Sequence, residues 1–137
     1  GAINPIAIPM EVTTETQADG TVVVIGRVTF GAAYEGAPGC VHGGFVAAYF
    51  DEVLGVAQAM TPTPGMTANL TINYRSPTPL LKPLEFRATA TKVEGRKIFT
   101  SATLHHGDTL CAEATGLFVA MKPEIMELLI KQREENY

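Results

Sequence analysis

"GCVHGGFVAAYFDEVLG", residues 39–55, decides how this chain folds: it reads as a helix apolar nearly all round, opened by His-Gly-Gly and carrying Asp51 and Glu52 midway. The helical pattern runs from Val41 to about Met60 and stops at "TPTPG", whose prolines cannot continue it. At about 100° per residue, Val46, Tyr49, Phe50, Val53 and Leu54 form one bulky stripe, which must face a sheet. Opposite lie Gly44, Ala47, Ala48, Asp51 and Gly55, small enough to admit another backbone, another subunit or a narrow ligand. Gly43 and Gly44 at the helix start are expected to expose N–H groups that lack intrahelical partners, at the positive end of the helix dipole. An oxyanion is stabilised in such a place.

Donors aimed at an oxyanion, together with a carboxylate that can attack or deprotonate water, are the parts needed for acyl transfer and hydrolysis. Gly43 and Asp51 are eight residues apart, about 12 Å along the axis. That is too far for both to serve one carbonyl group, so the carboxylate is expected from a second copy of the chain.

Outward from the helix, the sequence alternates in the way strands do. "MEVTTETQ" (10–17) and "TVVVIGRVTF" (21–30) are rich in β-branched residues and flank "ADG", a hairpin signal. "ANLTINYRSP" (68–77), "LEFRATATKVE" (84–94), "KIFTSATLHH" (97–106) and "LCAEATGLFVAM" (110–121) follow, with "EGR" and "GD" as tight turns. Phe86, Ala88 and Ala90 alternate with Arg87, Thr89 and Thr91, one buried face against one wet face. "PEIMELLIKQREENY" (123–137) begins with Pro at a first turn and reads as a short amphipathic helix or a tail. The fold class is therefore α+β, a sheet wrapped around one long central helix.

The 137 residues amount to about one domain, here 1–137 with its core near 20–121. Hydrophobic residues make up 46% and charged residues 18%, ordinary for a globular protein. No run approaches the roughly 18 apolar residues that span a bilayer, so no membrane partner is expected. The net charge of −4, with no basic cluster longer than Arg96-Lys97, argues against nucleic acid, which needs a dense basic face. Cys40 and Cys111 show neither metal-site spacing nor the density of a disulfide scaffold, which points to a reducing, cytoplasmic setting. "GAINPIAIPM" has no signal-peptide pattern and no initiator Met, so natural sequence is expected upstream of Gly1.

"GCVHGGFVAAYFDEVLG" followed by "GMTANLTINYRSPTPL" resembles the hotdog-fold acyl-CoA thioesterases, in the branch of the phenylacetate-pathway and human thioesterase-superfamily members. The resemblance covers roughly residues 20–121. It implies a hotdog fold, hydrolysis of an acyl-CoA substrate without cofactor or metal, and a homodimer that often pairs again into a tetramer. It also implies an oxyanion N–H from the Gly after the His, here Gly43 beside His42. The Asp nine residues after the His, Asp51, would be nucleophile or general base from the partner subunit, and Thr67 would orient water or that carboxylate. Members often carry Asn or Gln six residues before the His; here that position is Gly36, so Glu35 or a backbone group would have to substitute.

Other readings stay open on the residues. His42 can position the loop or shuttle a proton, and Glu52 is a second candidate base or the partner of an Arg. A Cys40/His42 nucleophile is disfavoured because alternate loop residues rarely converge, and a metal at His105, His106 and Asp108 because adjacent strand residues point apart. Gly44 lines the donor end, while Arg75, Lys82, Arg96 and Lys97 sit at strand ends or turns where coenzyme A phosphates could be met. Ile98, Phe99, Tyr49 and Phe50 can line an acyl pocket or fill the core. The second function class is a non-catalytic hotdog module that binds an acyl-CoA or fatty-acyl ligand or oligomerises a longer protein.

Overall fold

The computed structural model describes residues 10–136; the segment 1–9, read above for a signal sequence, lies outside the described residues. In chain order it runs β1 (Glu11–Thr16), β2 (Val22–Val28), a 3₁₀ turn (Ala32–Tyr34), α1 (Gly43–Ala59), β3 (Met66–Tyr74), β4 (Leu84–Glu94), β5 (Lys97–His106), β6 (Thr109–Val119) and α2 (Pro123–Asn136). The expected order of two strands, helix and four strands is what forms. Several bounds move by up to three residues: the helix starts at Gly43, because Val41 and His42 are held in extended backbone, and β3 starts earlier and ends at Tyr74.

All strands pair antiparallel in one sheet of order β1-β2-β4-β5-β6-β3. The sheet wraps α1, which lies mainly across β4, β5 and β2: a hotdog fold. The bulky stripe does face the sheet, since Val46, Tyr49, Phe50, Val53 and Leu54 are all buried. Phe50 meets Phe86 edge-on with ring centroids 5.1 Å apart, and Phe30 meets Tyr49 at 5.2 Å. Each such side chain contributes about 1.5–3 kcal/mol by leaving water. Ile98 belongs to this core with Tyr49 and Phe50, and Phe99 is half-buried on the outer face near Lys92.

Two irregularities matter. In β4 the alternation stops at a register shift between Ala90 and Lys92. In β3 a shift between Thr67 and Asn69 leaves Ala68 as the extra residue of a bulge, so Thr67 pairs with Phe118 while Leu70, Ile72 and Tyr74 pair with Gly116, Ala114 and Ala112. Side chains alternate with period 2, so an unbroken strand carrying Leu70, Ile72 and Tyr74 toward the helix would turn Thr67 away. The bulge reverses its parity and brings Thr67 to the helix side.

Loop 61–65 before β3 is fixed by Gln58, whose buried amide accepts from the Gly65 N–H at 2.8 Å and donates to its carbonyl at 3.1 Å. Gly65 itself lies against the Val119 carbonyl, where any side chain would collide. The C-terminal stretch is a helix, and none of its residues is buried. Among the described residues, no helix is long and apolar enough to cross a membrane.

Candidate active site

The start of α1 is organised by His42. Its backbone is extended (φ −60°, ψ 133°), and its Nδ1 accepts a hydrogen bond from the Gly44 N–H at 2.9 Å. Its carbonyl accepts from Phe45 and Val46 at 3.0 and 3.2 Å. This corrects the expectation of two free donors: Gly44 is capped by the His42 ring, and among the described residues only the Gly43 N–H of this turn has no acceptor. Because Nδ1 accepts, it carries no proton, and the neutral ring holds its proton on Nε2.

Eight residues along, half-buried Asp51 lies on the small-residue face, and Thr67 donates to its Oδ1 at 2.8 Å. One carboxylate oxygen is thereby fixed and the other left for chemistry. Glu52 is exposed and forms no ion pair among the described residues, which corrects the expected Arg partner. The axial separation of about 12 Å between the Gly43 donor and Asp51 stands, because α1 is one unbroken helix.

A cleft of about 370 Å³ opens beside the helix start, lined by Cys40, Gly43, Tyr74, Arg75 and Thr78 among others. Arg75 lies in it but is committed, donating to Glu113 Oε1 from Nη2 at 2.5 Å and from Nε at 3.2 Å. The four expected phosphate contacts do not converge within one chain. Lys82 precedes β4 and Arg96 follows it, about 35 Å apart at strand rise. Arg75 shares the end of Lys82 and of Gly43; Lys97, beside Val119, shares the end of Arg96.

The Gly36 position is filled by backbone. A side chain there would come within 2.8 Å of the His42 Cα, so no residue with a side chain fits without moving the helix start. Glu35 is tied within its own loop, where its Oε2 accepts from the Gly39 N–H at 2.9 Å. Sequence reasoning also missed Tyr74, whose hydroxyl donates to the Gly43 carbonyl at 2.6 Å from 31 residues away. Its position in "YRSP" marks it only once β3 is placed. No group of three or more His, Cys, Asp or Glu among the described residues could hold a metal.

An antiparallel sheet around a helix that bears a tethered carboxylate on its open face defines a hotdog protein with a candidate acyl-transfer site. The profile of the thioesterase superfamily matches residues 38–114, and the chain belongs to that superfamily. It is 43% identical over 96 residues to a mouse protein named acyl-coenzyme A thioesterase THEM4, covering 69% of this chain and 41% of that one. A Xenopus laevis protein of the same name is 39% identical over 95 residues, 68% and 43% of the two chains. The chain thus spans about two fifths of these relatives' length. A crystal structure of the thioesterase superfamily protein RHA08564 superposes with a TM-score of 0.71 at 44% identity, covering 79% of this chain and 55% of that one.

Proposed function

We propose that the chain hydrolyses acyl-CoA thioesters to free acid and CoA at a site shared by two copies. The observation that carries this is the pairing of Asp51 with Thr67 on a face of glycines and alanines, in a chain whose Gly43 N–H is unused at the head of the same helix. Asp51 takes a proton from water, and the water oxygen attacks the thioester carbon. The carbonyl electrons move onto oxygen, where the Gly43 N–H stabilises them. The C–S electrons then leave with sulfur, which recovers the proton from Asp51. Direct attack by Asp51 from the same free oxygen instead expels CoA thiolate and leaves an acyl–Asp51 anhydride, which water then opens, the thiolate taking the proton that water releases; label in Asp51 after a single turnover in H₂¹⁸O identifies this route with water attacking the aspartyl carbon.

The second copy is called for by the 12 Å separation, by the open small-residue face and by the outer edge of β3, which pairs with no strand among the described residues. A two-fold antiparallel to α1 would carry the partner's Asp51 toward Gly43, and the partner's Arg96 and Lys97 toward Arg75 and Lys82, giving one ligand access to both sets of cations. The relatives named as acyl-CoA thioesterases support the substrate class. The two unpaired thiols support a reducing, cytoplasmic setting.

The test is thiol release across short, long and aromatic acyl-CoAs, with direct binding measured alongside. Asp51→Asn should keep binding and lose about 10²- to 10⁴-fold in kcat, as for loss of a positioned base. Glu52→Gln should lose far less. Near-parental turnover in Asp51→Asn would remove the carboxylate from the mechanism. The packing of Gly36 against His42 favours a second reading, since it leaves position 36 with no side chain to hold water or substrate. Binding without release of thiol from any ester would establish that acyl-CoA-binding module instead.

A further inference from the structure

Gly43 is the one residue on which the proposed oxyanion site depends, and it has no side chain with which to hold itself. Its two flanking peptides are held from elsewhere. The His42–Gly43 peptide, which carries the free N–H, is anchored through the His42 carbonyl by Phe45 and Val46. The Gly43–Gly44 peptide is gripped at both ends: Tyr74 donates to its carbonyl at 2.6 Å, and its N–H donates to His42 Nδ1 at 2.9 Å. With both planes fixed, the torsions of Gly43 have no freedom left, and its donor points one way.

We infer that Tyr74 is a positioning residue for the acyl-transfer site, acting through the Gly43–Gly44 peptide on both the Gly43 donor and the tautomer of His42. This rests on the hydrolase reading above. A hydrogen bond received by a peptide carbonyl polarises that peptide and strengthens its own N–H as a donor. The phenol therefore reinforces the bond to Nδ1, which keeps the ring proton on Nε2, where His42 presents it as a donor. Partial burial pushes the Tyr74 phenol up from its ordinary value, so it stays protonated and donating throughout the working pH range.

Fit gives an independent reason. A Cβ on Gly43 would lie 3.3 Å from the Tyr74 oxygen and 3.4 Å from its Cζ, tighter than ordinary contact. Glycine at 43 thus lets the phenol sit close, and Gly43→Ala would make it give by a few tenths of an ångström. The tether also explains how a helix start with the compact, backbone-filled Gly36 position can be rigid without a side chain from that loop.

The experiment is Tyr74→Phe, which keeps the ring against Gly43 and removes only the hydroxyl. The expected result is a fall in kcat of about three- to tenfold with KM unchanged, and a loss of stability no larger than one hydrogen bond's net contribution. The ¹⁵N resonances of the His42 ring should move toward a mixture of tautomers, and the Gly43 amide resonance should shift. A role in packing alone would lower stability while leaving kcat and the ring resonances in place. Parental kcat and unmoved resonances in Tyr74→Phe overturn the inference. A parent that cleaves no thioester overturns the hydrolase reading, and the two resonances then decide the tether without it.

Discussion

Asp51 can serve chemistry because Thr67 occupies only one of its oxygens. Thr67→Val keeps the shape of the side chain and frees that oxygen, so kcat should fall about three- to tenfold for one lost hydrogen bond, read by steady-state kinetics with KM little changed. The two cysteines are separated by burial. Cys111 is fully buried and burial pushes its thiol up, so at a given pH less of it is thiolate, whereas Cys40 is partly exposed. One equivalent of iodoacetamide should therefore react in the native protein, at Cys40, and a second only after denaturation; mass spectrometry of the peptides checks this. At this scale the sequence exposed Asp51 and Gly43 through helical periodicity. It could not show that Gly44 is capped, because a histidine ring turning back on its own helix depends on a rotamer rather than on spacing. Tyr74 was hidden for a different reason, since its bond spans 31 residues and two elements.

The strands and α1 were legible because each has one face buried and repeats every two residues or at helical intervals. What alternation cannot carry is the order of strands or the bulge at Ala68. A reader counting by twos from Tyr74 through Ile72 and Leu70 places Thr67 on the wrong face; only the resemblance placed it at the site. Besides its ladder with β6 and the packing of Leu70 and Ile72 on the core, polar ties hold β3: Gln58 fixes its approach, Thr67 meets Asp51, and Tyr74 meets Gly43. Gln58→Leu would bury the Gly65 N–H and carbonyl without partners, at about 1–3 kcal/mol for the unsatisfied groups. Urea unfolding should show a lower midpoint with an unchanged slope. Phe50→Ala, which opens a cavity against Phe86, should cost more, about 3–5 kcal/mol.

For the whole molecule, the shared site proposed above requires at least a dimer, and light scattering at micromolar concentration should find one. A monomer that still hydrolyses thioesters would sink the shared site. Arg96→Ala or Lys97→Ala should raise KM for CoA esters more than it lowers kcat, because contacts far from the reacting carbon contribute mainly uniform binding. Equal KM in parent and variants would take that turn out of the site. The sheet order carries a further consequence for the growing chain. Among the described residues the only sheet neighbour of β3 is β6, whose last residue lies 45 positions after the last of β3. A ribosome therefore releases α1 with Asp51, and then Thr67, well before the strand that holds Thr67 in register exists. In a nascent chain cut short ahead of Thr109, β3 would have nothing to pair with, and the threonine and the aspartate would be joined only by the loop between them.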